Sequence, residues 1–279
     1  EYSVLELFKK VEEAGIEFAA IADEDSIQSI AEVTQYQSFS PVKWISAAQL
    51  SVEHQGRYFQ IIAYGIKEHP WFRQHEKNVK DSYEHRFIEI IRLLNEYYHF
   101  DLSMIEFKEY ANEKCLSVEL LASYILSLSR LDENAEMKKF KLKASRFYKL
   151  ETNFMNQYLV AGKKTFVHKY ASSYYEAIQA IHLVGGVAVL ANPGLSIQED
   201  HAFLNELVHL GLDGIECYSP YHSEIQNAFY VAFALKRQLL ITCGSDFGRL
   251  GEKIKAGQTH CPMNKDEIIG LFRKRGLSI

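Results

Sequence analysis

The stretch "SYYEAIQAIHLVGGVAVLANPG" (173–194) decides the architecture. Ser173, with Glu176 three residues on, has the spacing of an N-terminal capping box, and Gly185 stands where a helix ends in a left-handed residue. "VAVLA" (187–191) is then short, apolar on both faces and rich in branched residues, and it stops at Asn192, Pro193 and Gly194. That is helix, turn, buried strand, loop.

The same grammar recurs along the chain. "SVLELFKKVEEAG" (3–15) pairs Ser3 with Glu6 as a capping box and sets Val4, Phe8 and Val11 on one helical face before the strand "FAAIA" (18–22). "DHAFLNELVHLGLD" (200–213) feeds "GIECY" (214–218), and "SEIQNAFYVAFALKRQ" (223–238) feeds "LLITC" (239–243). Such alternation specifies a parallel sheet covered by helices, open or closed into a barrel. "VKWISAAQLSVEHQGRYFQIIAYGI" (42–66) interrupts it with two strands joined by a turn at Gln55 and Gly56, an antiparallel excursion. From 67 to 164 strand signals give way to helical, aromatic and charged sequence. The expected division is therefore a barrel made of 1–66 and 165–279, with 67–164 as a helical insertion subdomain.

At 279 residues, 47% of them hydrophobic, the chain can bury a large core, and its formal charge of −5 argues against a generally basic nucleic-acid coat. The four cysteines, Cys115, Cys217, Cys243 and Cys261, have no C-x-x-C spacing, and two lie in apolar strand-like runs. No apolar run reaches the roughly 18 to 20 residues of a membrane span, and no leader pattern precedes a cleavage site. A reduced, cytoplasmic protein with no membrane partner is expected.

In a parallel barrel, chemistry gathers at the C-terminal ends of the strands. Those ends carry Asp23, Glu24 and Asp25, then Gln49, Gln60, Asn192, Ser219 with His222, and Ser245 with Asp246. Clustered hydrolytic metals need imidazole and carboxylate, whereas amides are weak ligands. Of eleven histidines, the other ten, including His75, His85, His99 and His201, lack metal-ligand spacing and are expected to be solvated or packed.

The ordered segments "EEAGIEFAAIADED", "ISAAQLS", "FQIIAYGI", "AIHLVGGVAVLANPG", "GLDGIECYSPYHS" and "CGSDF" resemble the PHP family, the polymerase and histidinol phosphatase domain, in its branch of small metal-dependent phosphoesterases. The resemblance covers most of 1–66 and 165–257. It implies a distorted (β/α)7 barrel whose strand ends hold up to three divalent ions that activate water against a phosphate ester. It also places the family's first strand, with an H-x-H pair, before Glu1, so that strand is expected to be missing.

Carried over residue by residue, the family's T-D-H-D falls on Ala22, Asp23, Glu24 and Asp25, its bridging glutamate on Gln49, and two histidines on Gln60 and Asn192. The S-D-x-H pair retains Asp246 but has Gly248 for the histidine, while His222 matches a histidine near the phosphate. Val118 and Leu120 fall, by a looser match, where an arginine and a histidine stand. Lys169 matches a basic position at the site mouth and is a candidate phosphate contact.

Asp23, Asp25, His222 and Asp246 are thus the candidate residual metal or ligand site; Glu24, Gln49, Gln60, Asn192 and Gly248 are replaced positions. The expected cofactor is none, or one weakly bound divalent ion, the family's metals being manganese, zinc or iron. The replacements keep hydrogen-bonding capacity, which suits either a pocket for a polar ligand or amides satisfying one another; Asp25 also suits a helix cap before "SIQSIAEV".

Two functions stay open. One is a non-catalytic or strongly impaired homologue that binds a phosphorylated small molecule, a nucleotide or a partner. The other is a divergent metal-dependent phosphoesterase hydrolysing nucleotide or short nucleic-acid phosphate esters at a reduced site. The segment "EMKKFKLKASRFYKLE" (136–151) interleaves basic and aromatic residues as single-stranded nucleic-acid binders do, but it reads equally as a solvated helix with its aromatics packed inward, the preferred reading.

Overall fold

The computed structural model describes residues 2–112, 116–248 and 254–277; Cys115 lies outside them. In chain order the elements begin with α1 (Val4–Glu13), β1 (Phe18–Glu24), α2 (Gln28–Tyr36), β2 (Lys43–His54) and β3 (Arg57–Tyr64). A helical stretch follows: α3 (Pro70–Tyr98), α4 (Met104–Ala111), α5 (Val118–Ser127), α6 (Ala135–Lys143) and α7 (Leu150–Phe154). Then come β4 (Ser172–Ser173), α8 (Tyr174–Leu183), β5 (Val187–Ala191), α9 (Pro193–Ser196), α10 (His201–His209), β6 (Gly214–Tyr218), α11 (Glu224–Lys236), β7 (Leu240–Cys243) and α12 (Lys265–Lys274). Two compact units result, Glu1–Glu76 with Ala171–Ile279, and Lys77–Tyr170.

The first unit is an α/β half-barrel. Its seven-stranded sheet runs β1-β2-β3-β5-β6-β7, with β4 paired to β2. β1 and β2, β5 and β6, and β6 and β7 are parallel, while β3 runs against both its neighbours. The reversal is made in two residues: Gln55 and Gly56 have φ of 51° and 77°, the paired positive angles of the hairpin turn whose twist matches the strands.

Period-two alternation sorts each strand into two faces. Ala48, Leu50 and Val52 on β2, Phe59, Ile61 and Ala63 on β3, and Ile215 and Cys217 on β6 pack with the helices in one core. Ile45, Ala47, Ile62, Tyr64, Val187, Val189 and Leu240 fill the opposite, interior face. Continuing that alternation aims Gln49, Gln60, Glu216 and Thr242 into the interior.

Two expected caps differ. Ser3 and Glu6 do form their capping box, but Ser173 makes no side-chain cap bond at α8, because it is taken up in β4 opposite Glu53. Asp25 does not cap α2, whose N-cap is Ile27; its carboxylate is turned elsewhere. Cys217 is buried, whereas Cys243 is only partly so, and both are free thiols.

The second unit packs α4 to α7 and the greater part of α3 around Phe87, Leu94, Phe107, Leu121, Phe140 and Phe154. Val118 and Leu120 are half-buried against this core, which explains their apolar character without any ligand. The expectation that the basic segment turns its aromatics inward holds for Phe140, which is fully buried, and fails for Phe147 and Tyr148, which are exposed. No described helix is long and apolar enough to cross a membrane.

Candidate functional site

Strand pairing assembles the first half of the site. Glu24 lies opposite Gln49 in the β1–β2 register, and Gln60 lies opposite Ser51 across β2 and β3. Gln49 Nε2 donates to Gln60 Oε1 at 2.7 Å, and Gln60 Nε2 donates to Glu24 Oε1 at 3.2 Å. The three side chains therefore form a directed chain in which each amide consumes its neighbour's acceptor.

Asp23 is not part of this chain. Its register partner is Ala48, of the helix-facing core, so its side chain shares the face of Ala19 and Ile21, away from the interior. Glu24, the residue read as the replacement, is the one facing inward.

Asp25 is a buried anchor. At a φ of 55° it leaves the strand, and its own N–H donates to the Gln49 carbonyl at 2.7 Å. Its carboxylate accepts from the Ser51 N–H at 2.6 Å and the Ser51 hydroxyl at 2.8 Å. His75 Nε2 completes the set at 2.8 Å from Oδ1, and His75 Nδ1 reaches Ser172 Oγ at 2.7 Å. Asp25 is 6% and His75 2% exposed, with the Trp71 ring stacked on the imidazole. The expected packing role for His75 thus understates it: its two ring nitrogens link the Asp25 carboxylate at the end of β1 to Ser172 of β4 from the start of α3.

The second half lies at the ends of β5, β6 and β7. Ser219 Oγ donates to Asn192 Oδ1 at 2.5 Å, both residues being buried. Asn192 adopts a φ of 40°, a left-handed conformation that asparagine tolerates, and its N–H donates to Glu216 Oε2 at 2.9 Å. Glu216 is 3% exposed, and its carboxyl is pushed up to about 7, chiefly by burial, with Asp246 adding to the rise and the Asn192 N–H opposing it. Gly244 packs closely beside it: a Cβ there would overlap Glu216 Oε1 and displace the carboxyl.

The sequence reading passed over Glu216, hidden among the apolar residues of "GIECY". The available signal was its position, two residues after Gly214 on the interior face of a strand.

His222 is half-buried and committed on both nitrogens. Gly194 N–H donates to Nε2 at 3.1 Å, so the proton sits on Nδ1, which faces the Cys217 carbonyl at 3.3 Å. Burial holds its pKa below the usual imidazole value, against the pull of that carbonyl. Asp246 is exposed, has a φ of 52°, and accepts from the Tyr221 hydroxyl at 3.1 Å. Gly248 offers no side chain two residues on. Neither Glu216 nor Asp246 has a lysine or arginine partner among the described residues.

A cleft of about 550 Å³ is lined by Arg57, Tyr58 and residues 196–200. Arg57 pairs with Asp200 at 2.8 Å and stays 46% exposed. Lys169 is exposed and belongs to the second unit.

No family model matches the chain. An 82-residue portion, 28% of the chain, is 38% identical to the phosphoribosyl 1,2-cyclic phosphate 1,2-diphosphodiesterase of Eggerthella lenta, and that match spans 30% of the relative's length. Among solved structures, a protein assigned as a metal-dependent phosphoesterase from Bifidobacterium adolescentis superposes with a TM-score of 0.69 at 17% identity, over 98% of this chain and 91% of that one. An amidohydrolase from Chromobacterium violaceum, solved with sulfate and no metal, gives 0.65 at 20% identity, over 89% and 83%. These likenesses show the fold: the α/β barrel of this chain is the one shared by that metal-dependent phosphoesterase and that amidohydrolase, and 28% of its sequence is similar to part of a phosphodiesterase.

Proposed function

We propose that this chain is a phosphoesterase-fold protein whose strand-end site binds a ligand without efficient hydrolysis. The observation that carries this reading is the Gln49–Gln60–Glu24 chain of hydrogen bonds, which occupies the place where a bridging carboxylate and an imidazole would hold neighbouring ions. Amides bonded to one another have no reason to exchange partners for a cation they bind weakly. The remaining donors fit a metal cluster no better. Asp25 is enclosed by Ser51 and His75, His222 has both nitrogens engaged, and Asp23 faces the helices. Among the described residues no three of His, Cys, Asp or Glu gather closely enough to hold an ion.

The ligand class is a phosphorylated small molecule or nucleotide. The cation this reading assigns to the phosphate is Arg57, half-exposed in the cleft although paired with Asp200. A second reading, hydrolysis at a reduced metal site, draws on the exposed carboxylate of Asp246, which among the described residues accepts one bond, from Tyr221.

Elemental analysis of purified protein, with an assay on mono- and bisphosphorylated nucleotides in added manganese, separates the two. Less than one ion per chain and no turnover are expected. Stoichiometric metal, with turnover abolished by Asp246→Ala, would establish the second reading instead.

A further inference from the structure

The turn between α6 and α7, within the second unit, carries an unusual combination of side chains. Phe147 is 95% exposed, Leu142 88% and Tyr148 63%. Residues 138–149 also hold six basic side chains and no acidic one, in a chain whose formal charge is −5. Lys138, Lys139 and Lys141 are answered by Glu133, Glu136 and Asp132. Lys143, Arg146 and Lys149, which flank the exposed rings, are themselves exposed and have no ion pair among the described residues. Clustered exposed apolar side chains mark a surface that something covers, and the unanswered charge requires the cover to be anionic.

We propose that this turn docks on an anionic lipid surface, with Leu142 and Phe147 inserted at the headgroup boundary and Lys143, Arg146 and Lys149 on the headgroups. Two observations favour a bilayer over single-stranded nucleic acid. A ring that is 95% exposed has no protein wall beside it, so a base could stack on it only as an open pair, without a groove to track the strand. Leu142 offers no aromatic face at all, whereas a bilayer accepts a protruding leucine as readily as a phenylalanine. The expectation of no membrane partner rested on the lack of a spanning run, and a turn lying on the surface needs none.

Co-sedimentation of the full chain with vesicles tests the idea, using phosphatidylcholine alone and phosphatidylcholine mixed with phosphatidylserine. Binding is expected only to the mixed vesicles and should weaken as salt is raised. Replacing Lys143, Arg146 and Lys149 together by glutamine should weaken it roughly a hundredfold, since each basic residue near such a surface contributes a factor of about five. Leu142→Ser with Phe147→Ser should weaken it at least about tenfold. Because all five positions are exposed, the variants should melt with the parent, so loss of binding is not loss of fold. Failure to bind either vesicle, binding indifferent to both sets of substitutions, or capture of a labelled single-stranded oligonucleotide through the same residues without vesicle binding would each overturn the proposal.

Discussion

Replacing His75 by leucine should destabilise the first unit sharply, and the size of the effect follows from what Asp25 would have left. The carboxylate is 6% exposed and would keep its two bonds from Ser51, at 2.6 and 2.8 Å, while losing the imidazole at 2.8 Å. Taking a hydrogen-bonding partner from a buried carboxylate costs about 3 kcal/mol or more, and the apolar area of the leucine offsets only part of that. A net loss of about 3 kcal/mol corresponds to a melting temperature lower by roughly 6–12 °C for a unit of this size.

Thermal denaturation of the full chain at pH 7, with and without EDTA, measures the loss. Asp23→Ala is the comparison: its side chain lies on the helix-facing side of β1, is partly exposed, and should change stability by no more than about 0.5 kcal/mol. Adding Asp25→Asn to the His75→Leu variant should recover part of the loss, because a neutral amide is cheaper to bury than an unpaired carboxylate. A His75→Leu protein melting within about 2 °C of the parent would refute the assignment of Asp25 as a structural anchor. So would a loss that appears only in EDTA-free buffer, since Asp25 would then be serving a metal.

Glu216 should make the fold less stable as pH rises. Its folded pKa of about 7 lies above the ordinary 4.5, so between these values the unfolded chain has released a proton that the folded chain retains. Stability is therefore fullest below about pH 4.5 and falls by about 3 kcal/mol as pH passes through 7. Glu216→Gln should abolish this fall and melt higher than the parent at pH 8; parallel pH–stability curves for the two proteins would contradict it. A second prediction concerns ligand restoration. Gln49→Glu, Gln60→His, Asn192→His and Gly248→His together should tighten manganese binding at least about tenfold by titration calorimetry, and an unchanged isotherm would mean that the amides are not what keeps cations out.

Much of the barrel was legible because hydrophobic alternation and turn chemistry are local. "VAVLA" and "GIECY" became β5 and β6 over the residues expected, and the Gln55–Gly56 turn reversed the chain as its residues require. The site was less legible, since a one-residue step along a strand exchanges its faces. Motif matching kept Asp23 and set aside Glu24, yet the sequence Phe18, Ala20, Ala22, Glu24 continues the interior face to the glutamate. Asp25 read plausibly as a helix cap because its true partners, Ser51 and His75, are 26 and 50 residues away. Phe147 looked like core for a related reason: interleaved basic and aromatic residues have the same pattern whether or not a partner helix covers them.

On the proposed reading, the remaining carboxylates would account for a barrel that folds without clustered cations. In a multi-metal site, divalent ions neutralise the acidic side chains they gather. Here each acid is balanced by a different local device. Asp25 is enclosed by two bonds from Ser51 and one from His75, and Glu24 accepts the terminal amide of the glutamine chain. Glu216 retains its proton near neutral pH, and Asp246 remains at the surface where water screens it. Glu216 is the informative member, because burying a carboxylate beside Asp246 with a single backbone donor would be costly if it were ionised. A bound divalent ion would reverse that logic by drawing its proton off. The protonation state of Glu216 therefore reports on the whole mouth: a carboxyl that titrates near 7 in purified protein is incompatible with a cation held against it, and one already ionised at pH 5 would indicate that a cation is there.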